Sequence, residues 1–320
     1  MKDILIIRFS SLGDVVLTTG IIKYVKEQQP DINIDIITRS DFAGVFADFP
    51  YIRNVYCIDK GDSAQKLLDV LNTMPDYDGV FDLHANQRSL LSKIILPAKS
   101  WTYEKNSLAR RLYVKYGICG DRLKKHTVQK YCQPLCRGLN LPLPSLEEIR
   151  PYLPSPLAQT KTGGGAKIVG IHPFASKNTK QWPFIYELCK LLLDSGIKVR
   201  VVGAGKMELP DGVEDMTGFT PLNMLIRNIA ECDVFFSTDS GPMHIATALG
   251  IPLVAIFGPT SRELGFYPSF SGCTVIEDKT LSCRPCHIHG SSKCPKKHFS
   301  CMMSATIEEV RTKIMSKLNI

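Results

Sequence analysis

The stretch that most constrains the fold is Phe235–Thr260, FFSTDSGPMHIATALGIPLVAIFGPT. Asp233–Thr238 and Pro252–Gly258 are apolar runs of β-formers, and the residues between them have helical character, so the segment reads strand, turn, helix, strand. At the turn, Asp239 and Ser240 are N-cap types, Gly241 allows close backbone approach, and Pro242 suits a first helical turn, where its missing N–H costs nothing. A helix start of this kind, with free amides and the positive end of the dipole, suits a phosphate or diphosphate. His244 falls on its first turn. The plain alternative is that TDSG only caps a helix and His244 covers a neighbouring strand.

The same alternation runs along the whole chain. Asp3–Arg8 is a buried-strand pattern, followed by FSSLGD and a helical pattern through Val15, Val16, Ile21, Ile22 and Val25. That loop holds neither GxGxxG nor the GK[ST] ending of a P-loop, which argues against a nicotinamide-dependent oxidoreductase. Asp14 sits at the helix start, either as a cap or as a general base at the carboxyl end of the first strand, where open α/β sheets bind ligands. Strand patterns recur at 32–38, 55–59 and 79–84, with helices at 41–49 and 63–72 between them, so the first half is a doubly wound sheet. Arg88, Lys93, Lys105, Arg110 and Arg111 follow the last of these strands and can meet an anionic acceptor, or simply form a solvated helix face. Asp121–Leu139 reads as a further helix. Prolines over 141–156 and Gly163–Gly165 mark a linker.

The second half restarts with a strand at Lys167–His172. In PFASKNTKQWP, Ser176, Lys177 and Lys180 precede a helix that begins near Pro183, where a hydroxyl and lysines can neutralise phosphate charge. After the strand Lys198–Val202, GAGKME is a fragment of a glycine-rich loop, and Glu208 can accept from a ribose or be plain surface. Near the end, Cys283, Cys286, Cys294 and Cys301 have the composition of a structural zinc site, with a loop of free or oxidised thiols as the alternative. A last helix is expected at Thr306–Leu318.

The 320 residues, 44% of them hydrophobic, are enough for two cores of ordinary size. No apolar run approaches the roughly 20 residues that span a bilayer, and the sequence enters its first strand without a leader pattern, so the chain is expected to be cytosolic. Eleven cysteines then read as thiols or metal ligands. A net charge of +8 favours acidic partners. Together with the cysteines it motivates a zinc-stabilised nucleic-acid binder as a rival, which the two-domain α/β pattern argues against.

Taken together, RFSSLGDVVLTTGII, HPFASKNTKQWP, STDSGPMHIATALGIPLVAIFGPT and the cysteine segment with its terminal helix resemble, in order and over nearly the full length, the family 9 glycosyltransferases, whose known members are lipopolysaccharide heptosyltransferases. The resemblance implies the GT-B fold, two Rossmann-like doubly wound domains with an interdomain cleft. It implies an acceptor-binding domain over 1–160, a nucleotide-sugar-binding domain over 161–305, and a C-terminal helix, 306–320, that crosses back to the first domain.

It also implies an inverting transfer of heptose from ADP-heptose to Kdo or heptose of the lipopolysaccharide inner core, without a required cofactor or catalytic metal. Asp14 matches the base and Lys180 the lysine at the donor diphosphate. Ser176, Lys177, Glu208, Asp239, Ser240, Gly241 and His244 fall at donor-binding positions, and Arg88, Lys105, Arg110 and Arg111 are candidates for the acceptor. The implied partners are the donor, Kdo-lipid A or core oligosaccharide, and the inner face of the inner membrane, with no nucleic acid. The alternatives are a nucleotide-sugar binding protein without activity and a family 9 transferase using another donor or acceptor.

Overall fold

A computed structural model describes residues 1–154, 166–218 and 220–320; the glycine linker and the boundary expected at 160 lie outside the described residues. In chain order the elements are β1 (Asp3–Ile7), α1 (Leu12–Gln28), β2 (Asn33–Arg39), α2 (Ser40–Ala43), β3 (Asn54–Ile58), α3 (Ala64–Asn72), β4 (Gly79–Asp82), α4 (Gln87–Ile95), β5 (Lys99–Thr102), α5 (Ser107–Tyr116) and α6 (Thr127–Leu139). They continue with β6 (Ile168–His172), α7 (Ile185–Asp194), β7 (Lys198–Gly203), β8 (Glu214–Thr217), α8 (Leu222–Ala230), β9 (Val234–Thr238), α9 (Gly241–Ala248), β10 (Leu253–Ile256), β11 (Cys273–Ile276), α10 (Ser300–Met303) and α11 (Ile307–Leu318).

Two parallel sheets result, ordered β3-β2-β1-β4-β5 and β11-β10-β9-β6-β7-β8. Each lies in its own compact unit. The first comprises Met1–Lys105 and Thr127–Pro154, and the second Asn106–His126 with the described part of Ser155–Ile320. Parallel strands need crossover helices on the sheet faces, which is why the central strands are near-continuous apolar runs rather than alternating ones. In the first unit Leu5, Ile7, Ile37 and Val80 pack against Leu67 and Leu71 of α3. In the second, Ile171, Val201, Phe236 and Val254 pack against Leu188 and Leu192 of α7. This is the two-domain α/β architecture that the resemblance implies.

Two features depart from the expected layout, and the last helix is placed within the second unit. The helix placed at Asp121–Leu139 is a short 3₁₀ turn, Gly120–Leu123, followed by α6. The segment Asn106–His126 belongs to the second unit: Arg110 lies over the Phe266 ring at 5.3 Å, and the His126 ring meets the Tyr267 carbonyl at 2.7 Å and Phe270 edge-on. The last helix, α11, places Val310, Ile314 and Leu318 in the second unit's core. Its apolar stripe packs on the sheet face beside α7.

Candidate active site

In the first unit the polar centre is the turn from β1 into α1. Ser11 is the N-cap of α1 and Asp14 the third helical residue. Asp14 reaches back to accept from the Ser11 amide at 3.2 Å and from the Ser11 hydroxyl at 2.8 Å, which is why a carboxylate belongs at this helical position. Two further groups converge on it. The Arg8 guanidinium lies 2.8 Å from one carboxylate oxygen, and the Tyr131 hydroxyl of α6 donates to the other at 2.7 Å. The Arg8 side chain is fixed in turn, since it donates to the Leu83 carbonyl and lies over the Tyr131 ring at 4.9 Å. Register explains the Leu83 bond: β1 and β4 pair Ile7 with Asp82, so the residues that follow each strand arrive side by side.

Burial alone would raise the Asp14 pKa, but the Arg8 charge, with the Tyr131 and Ser11 hydrogen bonds, overrides it and holds the group at about 2. The carboxylate is therefore ionised at neutral pH. A depressed carboxylate pKa gives stability that is present above the unfolded value and lost as pH falls through the folded one. For Asp14 that window is roughly pH 4 down to about pH 2, and the contribution at pH 7 is roughly 2 kcal/mol. The acid-induced fall in the urea midpoint should accordingly be smaller in Asp14→Asn than in the wild type; equal falls would mean that the Asp14 cluster contributes nothing to acid sensitivity.

His84 follows β4, edge-on to Phe9 with centroids 5.3 Å apart. Burial, then the Arg8 and Lys105 charges, lower its pKa to about 4, leaving the ring neutral. Below it, Asp82 accepts from the amides of His84 and Ala85 at 2.9 and 2.8 Å and pairs with Lys93 at 3.1 Å. Of the acceptor candidates in this unit, Arg88 donates to the Asp62 carbonyl and Lys105 is exposed. Arg110 and Arg111 lie in the second unit, Arg111 on the surface and Arg110 only 7% exposed. Arg110 lies over the Phe266 ring.

In the second unit the polar centre is where β6 and β9 end. Their register sets His172 beside Ser237, and Ser240, the N-cap of α9, turns its hydroxyl to His172 Nδ1 at 3.2 Å and to Ser237 at 2.9 Å. Ser240 therefore does not cap its own helix with its side chain. Burial pushes His172 down to about 3, so this ring is a neutral positioning group. Asp239 accepts from Thr260, of the GPT turn, at 3.0 Å and pairs with Lys180 at 2.9 Å. Gly241 opens α9, and His244 is buried on its first turn. Ser176, Lys177 and Glu208 are exposed. Gly205, in the loop after β7, is required for packing, because a Cβ there would meet the Phe174 ring at 2.4 Å.

The cysteine segment is open to two readings, a structural zinc site and a loop of thiols. Among the described residues no three His, Cys, Asp or Glu side chains are disposed to hold a metal ion. Cys301 is buried with Met302 against Gly258, where an added Cβ would meet its sulfur at 3.3 Å, so its thiol serves the core rather than a ligand set.

The segment instead braces the neighbouring loops. Arg284, in CRPC, donates to the carbonyls of Gly258, Phe257 and Thr260 and pairs with Glu277 at 3.0 Å, fixing the turn that carries Thr260. Ser291 and Thr179 exchange hydrogen bonds of 2.8 to 3.1 Å, and Gly290 lies flat on the Lys180 stem. With a φ of +78° and a Cβ that would meet Lys180 Cδ at 2.8 Å, Gly290 is doubly constrained. Gly290→Ala should displace Lys180 from Asp239 and lower the thermal midpoint while leaving the Asp14 cluster intact; an unchanged midpoint would break this link.

A family model described as glycosyltransferase family 9 (heptosyltransferase) matches residues 76–295. The chain belongs to glycosyltransferase family 9. It is therefore a glycosyltransferase. It is 26% identical over 320 residues to lipooligosaccharide heptosyltransferase 2 of Campylobacter jejuni subsp. jejuni serotype O:2, covering 93% of both chains, and 25% identical over 293 residues to lipopolysaccharide heptosyltransferase 1 of Campylobacter coli, covering 80% of this chain and 84% of that one. The lipooligosaccharide heptosyltransferase 2 of C. jejuni serotype O:6 is 35% identical over 163 residues, 46% of this chain and about half, 50%, of the relative.

Of solved structures, the E. coli ADP-heptose lps heptosyltransferase II superposes with a TM-score of 0.72 at 23% identity, covering 100% of this chain and 99% of that one. That likeness is one of fold. Within this family 9 chain, sequence reasoning reached Asp14, Lys180 and the TDSG turn but missed Arg8, Tyr131, Thr260 and His172. Arg8 and His172 carry a signal, as polar residues closing buried strands. Tyr131 carries none, being 117 residues from its partner.

Proposed function

We propose that the chain transfers heptose from ADP-heptose to Kdo or heptose of the lipopolysaccharide inner core, with inversion, and that Asp14 is the base. The observation that carries this reading is Asp14 itself, an ionised carboxylate at the carboxyl end of a parallel sheet, oriented from both sides by Arg8 and Tyr131. A group held at about 2 is a weak base at equilibrium. It suffices where the attacking hydroxyl becomes acidic only as its bond to the anomeric carbon forms, and its ionisation costs nothing at working pH.

At the second unit, Lys180 and the start of α9 bind the diphosphate, where the lysine charge and the helix amides stabilise the departing ADP. Ser176 and Lys177 border the phosphates, Glu208 accepts from the ribose, and Asp239, Ser240, Gly241 and His244 hold the donor sugar and nucleotide. Arg88, Lys105 and Arg111 are left as acceptor contacts. Lysine and backbone amides do the work that a divalent cation does elsewhere, so no cofactor is required. The relatives named above are heptosyltransferases of lipopolysaccharide or lipooligosaccharide, and the acceptor class follows them.

The test of the donor is competition. ADP-heptose should displace a fluorescent ADP analogue at concentrations at which UDP- and GDP-sugars do not. Equal displacement by UDP-sugars would move the chain to a different donor within the family.

A further inference from the structure

Among the described residues no helix is long and apolar enough to cross a membrane, yet one surface of the second unit carries large apolar side chains in water. Leu108 is 70% exposed, Tyr116 59% and Ile118 52%. All three belong to the segment Asn106–His126. In α5, Leu108, Arg111, Leu112 and Lys115 recur at i, i+3, i+4 and i+7 and so share one face, while Ala109 and Arg110 of the opposite face are buried. Tyr116 closes the helix and Ile118 follows it, beyond Gly117, which turns the chain in the left-handed region.

The charge on this surface has one sign. Arg111, Lys115, Arg122, Lys124 and Lys125 are exposed, against the single exposed carboxylate Asp121, which is paired with Lys124 at 2.7 Å. The Lys115 ammonium lies over the Tyr116 ring at 4.9 Å, so cation and aromatic ring are presented together. Between α5 and the cysteine segment a cavity of about 630 Å³, with Lys115, Tyr116 and Lys296 among its lining residues, has room for a lipid headgroup.

The segment is also a firm platform. It is anchored by Arg110 on Phe266, Leu123 in the interior and His126 on Tyr267, so the exposed side chains are held outward rather than left to fold in.

We propose that this face of α5 and the turn after it seats the protein on an anionic bilayer surface, with Leu108, Tyr116 and Ile118 entering the headgroup boundary and the surrounding cations meeting lipid phosphates. Charge complementarity decides the occupant. Basic residues interleaved with exposed apolar and aromatic side chains match a negatively charged leaflet, whereas a second copy of the same face would bring like charges together. The inference does not rest on the donor or acceptor proposed above.

Sedimentation with acceptor-free vesicles tests it, so that its failure is distinct from failure of the transferase reading. The wild type should bind vesicles of phosphatidylglycerol and phosphatidylethanolamine in equal parts, and should not bind phosphatidylcholine vesicles. Lys115→Glu with Lys125→Glu should lose at least about tenfold in binding, and Leu108→Ser with Ile118→Ser several-fold. The arginine replacements Lys115→Arg and Lys125→Arg should retain it, and an unchanged thermal midpoint and ADP affinity establish that each variant is folded. Equal binding to both vesicle types, wild-type binding by the charge variants, or binding indifferent to Leu108 and Ile118, as for any polyanion, would overturn the proposal. So would a wild-type dimer that Leu108→Ser with Ile118→Ser dissociates.

Discussion

Asp14→Asn should lower the turnover number by about 10² to 10⁴, the range that a positioned base supplies, while leaving the affinity for ADP within about twofold of wild type. The substitution keeps the shape of the side chain and its place in the first turn of α1. It removes the charge that Arg8 neutralises and the basic oxygen to which Tyr131 donates. Single-turnover kinetics with saturating donor separates the step from binding. Tyr131→Phe is the graded companion: it deletes one hydrogen bond to Asp14, so the carboxylate pKa rises toward its ordinary value and the rate should fall by far less. Because Asp14 is held at about 2, any acid limb of the pH–rate profile near neutrality belongs to another group, and it should persist unchanged in Tyr131→Phe.

Lys180→Met should cost about 10² to 10³ in kcat/KM, the loss seen when one group that stabilises developing charge is removed. It should also destabilise the fold, because Asp239 is left with Thr260 as its remaining hydroxyl partner in a site where both ion-pair side chains are nearly buried, 10% and 12% exposed. Breaking one half of a buried pair costs up to about 3–5 kcal/mol. The double variant Lys180→Met with Asp239→Asn removes the uncompensated charge, and its thermal midpoint should recover while its activity does not. Activity recovering along with stability would mean that Lys180 acts only by holding the fold.

Much of this was legible from the sequence because each βαβ step leaves a local trace. Apolar runs such as ILII and VFFST are buried on both faces, and Asp14 and Asp239, in the turns that follow them, sit at helix starts where a carboxylate is conspicuous. Edge strands left less. KSWT and EDMT pair on one side and are largely exposed or half-buried, so they lack the apolar run that marks a central strand.

The chain's path was the least legible. Asn106–His126 interrupts the first unit to join the second, and its anchors, Phe266, Tyr267 and Phe270, lie far along the chain, Tyr267 141 residues from His126, so no local pattern announces the excursion. In the cysteine segment composition drew attention to the thiols, while Arg284 between the cysteines of CRPC and Gly290 and Ser291 beyond them brace the Thr260 turn and the Lys180 loop. The geometry around Asp14 was half legible. Ser11 lies three residues away and was predictable from capping rules, whereas Arg8 and Tyr131 required the sheet register and the packing of α6.

The most direct measurement is the mass and anomeric configuration of the product formed when the purified chain is given ADP-heptose and Kdo-bearing lipid A. The account predicts release of ADP that depends on acceptor, with the acceptor gaining one heptose of inverted anomeric configuration. A retained configuration would contradict the single displacement assigned to Asp14, and ADP release unaffected by acceptor, with no gain in acceptor mass, would contradict transfer itself.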